Sequence, residues 1–336
     1  RIESIVSAEN IFVVGSDQHE NELKHQISQI LPNFCHENLL IEPQSRNTAP
    51  AILWAIIQIN KRRSKEPVLI LASDHLIKNP KKFIEALKNA EELANSGYIV
   101  TFGISPEHPE TGYGYIKAGD TIYKGFIVEE FVEKPDQNTA EYYFKSCKYF
   151  WNASIFMATT ETWLNEFNNI VPELYSAFVN EKVDRLDLNE SEIIKRIYQS
   201  IKSESVDYAL LEKSKKVAVL PVEIEWSDLG SWESIFQISE KDTCQNAIRG
   251  NVITLNTNNS LIFSNKKLVT SIGVENLIIV ETDDALLVCD MKRSQDVKKL
   301  VETLKKEDRH EYKAHNQILR PWGLVTTIIQ NTNYKI

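Results

Sequence analysis

Up to about residue 105, short continuous apolar runs alternate with stripes at helical spacing. Ile11 to Val14 is strand-sized, and Leu23, Ile27, Ile30 and Leu31 mark one face of a helix over about 19–31. Leu39 to Ile41 is the next strand. The stretch from Ala51 to Ile57 is apolar nearly all round, which predicts a buried helix. Val68 to Ala72 is continuous and apolar, the pattern of a strand covered on both faces in a parallel sheet. Phe83, Ala86, Leu87, Ala90 and Ala94 form the stripe of a following helix, and Tyr98 to Ile104 is another strand. Strands alternating with helices predict an α/β sheet with right-handed crossovers. Ligands of such sheets bind beyond the carboxyl ends of the strands, so residues just after these runs carry the most interest.

The pattern then becomes mixed. Glycine-rich turns at 112–119 lead to a strand over 125–132, a helix over about 138–146 and helices near 160–198. Val217 to Leu220, followed by alternating Val222, Ile224 and Trp226, returns to the sheet. After about residue 240 the runs shorten to Val252–Thr254, Leu261–Phe263, Leu277–Val280 and Leu286–Val288, separated by Asn, Gly, Lys and Asp turns. That spacing predicts a small all-β unit, followed by a charged helix over about 294–306. The working division is therefore 1–240, 241–292 and 293–336.

Composition narrows the function classes. The formal charge of -9 argues against a duplex nucleic-acid binder, which needs a basic face, but leaves small phosphorylated ligands open. No window is long and apolar enough for a membrane span, and the first residues carry no secretory apolar core. Cys35, Cys147, Cys244 and Cys289 are scattered without a Cys-x-x-Cys pair, so a zinc knuckle is not expected and a reducing, cytoplasmic setting is.

Several polar residues stand where chemistry is expected. Asp74 follows the apolar run at 68–72, where a carboxylate suits Mg²⁺ shared with substrate phosphates; capping a loop or helix is the plainer role. Asp228, in Glu-Trp-Ser-Asp-Leu-Gly-Ser-Trp, is a second candidate metal ligand, or simply the side chain of an Asx turn. Lys134 could neutralise a phosphate and Glu133 could accept hydrogen bonds from sugar hydroxyls, although Glu-Lys is also a common solvated pair. Gly112-Tyr113-Gly114-Tyr115 allows close backbone approach to a ligand, or is a hairpin turn. Glu42 to Pro50 joins a strand to the buried helix. Asn47 or Thr48 can cap that helix, and groups in the segment could read a base edge.

Taken together, EPQSRNTAPAI at 42–52, LASDH at 71–75, PETGYGYIKAG at 109–119, FVEKP at 131–135, FWNASIF at 150–156, SVDYALLEKS at 205–214 and WSDLGSW at 226–232 resemble the bacterial mannose-1-phosphate guanylyltransferases. The resemblance is to the long type, in which a phosphomannose isomerase domain follows. It continues through GVENLIIVETDDALLV at 273–288 and RPWG at 320–323. It implies a Rossmann-like nucleotidyltransferase domain with a small C-terminal β-helix-like domain, left-handed and often an oligomer contact. It implies transfer from GTP to mannose 1-phosphate in a soluble homo-oligomer. By the same resemblance, Asp74 and Asp228 bind Mg²⁺ and Lys134 contacts the sugar phosphate. Glu133 and Asn152 hold mannose hydroxyls, with Gly114 presenting backbone and Tyr113 beside it. Glu42, Arg46, Asn47 and Thr48 lie in the segment that recognises guanine.

Two departures bear on these expectations. The family usually shows Trp-Asn-Ser-Gly where this chain has Trp151-Asn152-Ala153-Ser154. The family's opening Gly-Gly-x-Gly-Thr-Arg-Leu loop and downstream Pro-Lys, which cradle the triphosphate, do not occur in these residues. RPWG would open a cupin-type isomerase domain of which little is present. On that ground these residues are expected to turn over weakly or not at all. The alternatives are a different sugar-1-phosphate nucleotidyltransferase and a non-catalytic nucleotide-sugar-binding homologue.

Overall fold

The structure is a computed structural model that describes residues 2, 4–62, 66–180, 190–309, 311, 317–320 and 323–326. The chain divides into two compact units, Arg1–Trp226 and Ser227–Ile336.

The first unit opens with β1 (Val13–Ser16), α1 (Glu20–Ile30), β2 (Leu39–Glu42) and α2 (Thr48–Asn60). β1 and β2 pair in parallel. α2 buries Ala49, Pro50, Ile52, Leu53, Trp54 and Ile56, as its nearly all-round apolar sequence predicts. β3 (Val68–Ile70), β4 (Leu76–Ile77), α3 (Pro80–Asn95) and β5 (Ile99–Ile104) follow. The stripe expected on α3 is buried, with Leu93 added to it. Beyond them come β6 (Tyr115–Ile122), β7 (Gly125–Val132), α4 (Gln137–Ser146), β8 (Tyr149–Ala158), α5 (Thr160–Ile170), α6 (Pro172–Asn180), α7 (Glu190–Ser200) and β9 (Val217–Val222). A π-helical turn, Asp207–Leu211, precedes β9.

Six strands form the main sheet in the order β3-β8-β5-β9-β7-β6. This corrects the expectation for 68–72. The regular strand stops at Ile70, is half-buried, and lies antiparallel to β8. An apolar run reports that a segment loses water, not which way its neighbour runs. The parallel pairing in this sheet is β5 with β9. β8, the longest strand of the unit, carries no strand signature in the sequence, because its residues are buried on both faces and show no alternation. The turns expected over 112–119 give way to strand from Tyr115, since Gly112 and Gly114 precede β6 and only Gly119 lies within it.

Side chains of the sheet alternate between two cores. Ile99, Phe156, Ala158, Val217 and Val219 pack with α2, α5, α6, α7 and the π-turn. Val100, Phe102, Ala153, Ile155, Met157 and Leu220 pack with α3. A core on each face holds the strand ends rigid, and the loops beyond them carry the candidate site.

The short β10 (Trp226–Ser227) spans the point in the sequence where the first unit ends. The second unit continues with α8 (Trp232–Ile238), β11 (Ala247–Arg249), β12 (Val252–Leu255), β13 (Leu261–Ser264), β14 (Val269–Ile272), β15 (Leu277–Glu281) and β16 (Leu286–Asp290). β11, β13 and β15 stack in parallel, as do β12 and β14, so successive turns of chain lie over one another as coils. Ala247, Leu261 and Ile278 line up in register and are buried. Asn256, Asn259 and Asn276 take left-handed backbone at the corners, which asparagine tolerates better than most residues. A 3₁₀ segment, Met291–Asp296, leads into α9 (Val297–Lys306), where the sequence placed its charged helix. β17 (Gln317–Arg320) and β18 (Gly323–Thr326) pair antiparallel. Pro321 and Trp322 of the RPWG motif lie outside the described residues. Among the described residues, no helix is long and apolar enough to cross a membrane.

Candidate active site

Five of the residues singled out from sequence come together in the first unit: Tyr113, Gly114, Glu133, Lys134 and Asn152. The β6–β7 hairpin brings its two ends together, because Lys134 N–H donates to the Tyr113 carbonyl at 3.2 Å. Lys134 takes left-handed backbone (φ 48°) at this point. Asn152, on β8, donates its backbone N–H to the Gly114 carbonyl at 2.8 Å. Gly114 leaves room for the Glu133 carboxylate. A Cβ on it would stand 2.5 Å from Glu133 Oε2 and 3.4 Å from Asn152 Cβ.

The cluster is acidic with one cation. Glu133 is only 9% exposed, and its Oε1 pairs with Lys134 Nζ at 2.8 Å. Burial alone would lower the Lys134 ammonium, but the Glu133 carboxylate outweighs it and holds the pKa above the ordinary lysine value. The π-turn adds a residue that sequence reasoning quoted in a motif and gave no role: Asp207. It is buried, and its Oδ1 accepts from Asn152 Nδ2 at 3.0 Å. Burial, then repulsion by Glu133, push its carboxyl up to about 6, against the opposing pull of Lys134 and Asn152. Tyr208, next along, donates its hydroxyl to the Glu133 carbonyl at 3.3 Å. Glu212 accepts the Glu133 N–H at 3.1 Å. The available signal was an aspartate set among Val206, Ala209, Leu210 and Leu211, where an acidic side chain has no solvent-facing reason to be.

The Asn152 amide is engaged at both ends. Its Oδ1 accepts from Thr101 Oγ1 at 2.8 Å and from Ser154 N–H at 3.1 Å. Ser154, at the position where a glycine was expected, adopts φ 50°, the left-handed region.

Tyr113 extends the cluster towards Asp74. Its ring meets Trp151 and Trp226 edge-on, each at 5.2 Å between centroids. Trp226 Nε1 donates to His75 Nδ1 at 3.2 Å. Asp74, beside His75, is 79% exposed and has its Oδ1 4.0 Å from His75 Nε2. It sits on the loop after β3, where sequence placed it.

Asp228 belongs to the second unit. Its Oδ1 accepts the Gly230 N–H at 2.8 Å, so the plainer Asx-turn role is present. A Cβ on Gly230 would strike Asp228 Oδ2 unless that carboxylate turned away. Among the described residues, no group of three or more His, Cys, Asp or Glu side chains is placed to hold a metal.

The 42–48 segment is knitted into the fold. Glu42 Oε1 accepts the Tyr198 hydroxyl at 3.0 Å, and burial raises the Glu42 pKa despite that bond. Gln44 Nε2 and Arg46 Nε both donate to the Tyr198 carbonyl, at 2.8 and 2.9 Å. Asn47 has φ 68°, and its Oδ1 caps α2 by accepting the Thr48 N–H. Thr48 Oγ1 accepts the Val206 N–H at 2.9 Å, which ties this segment to the residue preceding Asp207.

Chemically, the cluster offers two carboxylates and an amide to hydroxyl groups, and one ammonium to a phosphate.

The chain is also similar to known proteins. A family profile described as nucleotidyl transferase matches residues 3–245. A second, described as MannoseP isomerase/GMP-like beta-helix domain, matches residues 250–304. The chain is 41% identical to the mannose-1-phosphate guanylyltransferase RfbM of Salmonella typhimurium over 98% of its own length and 70% of that protein. It is 40% identical to the mannose-1-phosphate guanylyltransferase of Klebsiella pneumoniae, over 96% of its length and 69% of that protein. Among solved structures, it resembles a Thermus thermophilus protein titled mannose-1-phosphate geranyltransferase. That match has a TM-score of 0.79 and 26% identity, over 90% of this chain and 87% of that one.

Proposed function

The chain belongs to the mannose-1-phosphate guanylyltransferases, a family of nucleotidyltransferases, and from that premise we propose that it joins GTP and mannose 1-phosphate to give GDP-mannose and pyrophosphate. The observation that carries this reading is the convergence of Glu133, Lys134, Asn152 and Asp207 about Gly114: carboxylates and an amide beside a cation. That donor and acceptor set suits a sugar phosphate. Glu133 and Asn152 take the mannose hydroxyls, Gly114 lets them approach, and Tyr113 walls the subsite. Lys134 offsets the sugar phosphate. Glu42, Arg46, Asn47 and Thr48 frame the guanine subsite; with Glu42 and Arg46 tied to Tyr198, Thr48 to Val206 and Asn47 capping α2, they act by shape and backbone.

A phosphate oxygen of mannose 1-phosphate forms a bond to the α-phosphorus of GTP. The α–β bridging bond breaks, and pyrophosphate leaves with that electron pair. The nucleophile is already anionic, so no side chain need remove a proton. The protein's contribution is alignment and offsetting of charge. Asp74 and Asp228 are the residues that would hold Mg²⁺. Two carboxylates suit an ion that otherwise takes phosphate oxygens and water, and the exposed Asp74 carboxylate fits such sharing. When bound, the ion supplies positive charge to the phosphates. The domain division that goes with this reading is a transferase over 1–240, a β-helix-like domain over 241–292 and a third segment over 293–336. The protein works as a homo-oligomer in the cytoplasm.

Calorimetric titration tests the specificity. GDP-mannose is expected to bind this chain more tightly than UDP-glucose, ADP-glucose or GDP-glucose. Equal or tighter binding of one of those three would overturn the assignment of base or sugar. Pyrophosphate release that requires GTP, mannose 1-phosphate and Mg²⁺ together would support the reaction. GDP-mannose binding with no release under any combination would reduce the reading to a binding protein.

A further inference from the structure

The sugar-side cluster holds a buried carboxylate that the chemistry above does not consume. Asp207 Oδ1 accepts from Asn152 Nδ2, while Asn152 Oδ1 accepts from Thr101 and from the Ser154 N–H. A backbone N–H can only donate and an ionised carboxylate can only accept, so the amide fits one way round. In that orientation both lone pairs of the amide oxygen are filled and one of its two N–H bonds is committed. The other meets Ser154 Oγ at 3.4 Å, long for a hydrogen bond and easily surrendered. That N–H is the polar group of the buried Asn152 side chain that is held only by a long bond.

We propose that Asp207 is a positioning residue for sugar recognition, its carboxylate fixing the Asn152 amide so that the second N–H is offered to a hydroxyl of the sugar phosphate. The proposal rests on the reading of Asn152 as part of the mannose subsite.

A purely structural role explains the geometry less well. A buried acceptor for one N–H could be a neutral amide or a backbone carbonyl, neither of which repels the buried Glu133 carboxylate. The groups facing Asp207 are Glu133 and Lys134 at the end of β7, Asn152 on β8 and Tyr208 on its own turn. Only Lys134 among them is cationic, and it is already paired with Glu133. The carboxylate is thus retained at a cost to the fold. An ionised acceptor locks an amide more firmly than a neutral one, and an asparagine at 207 could turn over together with Asn152.

The test is Asp207→Asn in the full chain, with calorimetric titration of mannose 1-phosphate, GDP-mannose and GDP, and thermal unfolding alongside. Mannose 1-phosphate and GDP-mannose are expected to bind about tenfold more weakly, the scale of one charge-assisted hydrogen bond. GDP affinity should be unchanged, and the unfolding temperature should be unchanged or higher. Sugar affinity equal to wild type would overturn the proposal. So would a parallel loss of GDP and sugar affinity with a lower unfolding temperature, because that marks a structural residue. If wild type itself binds neither mannose 1-phosphate nor GDP-mannose, the subsite reading falls and the proposal with it.

Discussion

Gly114 shows how a single missing atom sets the sugar subsite. The atoms a Cβ would strike belong mainly to the Glu133 carboxylate, the far end of a side chain that can swing away. Gly114→Ala should therefore leave the thermal midpoint nearly unchanged while raising the KM for mannose 1-phosphate by about tenfold, the scale of one displaced hydrogen bond. A KM equal to wild type would show that Glu133 has no part in recognition. Asp74→Asn and Asp228→Asn should each cut Mg²⁺-dependent GDP-mannose formation by about a hundredfold or more, as loss of one preorganised electrostatic contact does. Near-normal rates in both variants across a Mg²⁺ titration would refute the metal assignment. Asp74, Glu133 and Lys134 were legible in the sequence because charged residues ending apolar runs stand out. Asp207 was not, because its meaning depends on Asn152, which is distant in the chain and adjacent in space.

Helices were read better than strands. A helix announces its buried face within a few turns, and both α2 and α3 bury the residues that their stripes indicate. β8 hides because both its faces are covered and it carries Asn152 and Ala153 at its middle. Helix caps also lie within reach of sequence. Thr159 precedes α5, and its side chain accepts the Thr162 N–H at 3.1 Å. α5 presents Trp163 and Phe167 to the larger core, so its first turn must be secured. Thr159→Ala is expected to destabilise the first unit by about 1 kcal/mol in urea unfolding, the usual worth of an N-cap. Unchanged stability would mean that water replaces the cap without penalty.

For the molecule as a whole, the buried charge at Asp207 couples folding to pH. Its carboxyl titrates at about 6 in the folded protein against an ordinary 3.8, so the folded state holds that proton more firmly. The stabilisation from this group is complete below its unfolded pKa and is lost as pH rises through about 6. Asp207→Asn removes the titration. Its unfolding free energy should match wild type near pH 4 and exceed it at neutral pH, by on the order of 2–3 kcal/mol. A constant difference across that range would show that Asp207 does not titrate there. The division into two compact units suits such measurements, since Asp207 reports on the first of them.

The sequence by itself determined the α/β character of the first unit, the small β unit after about residue 240 and the collinear motifs that mark the family. These are local or ordered along the chain, and burial imprints them as period and as composition. Only the tertiary structure decided that β3 runs antiparallel to β8, and that Ser154 takes a left-handed backbone. It alone brought a carboxylate from a π-helical turn against that same amide. Strand direction and pairwise contact depend on which distant segments meet, and hydrophobic burial, being non-directional, leaves no record of the partner in the residues it covers.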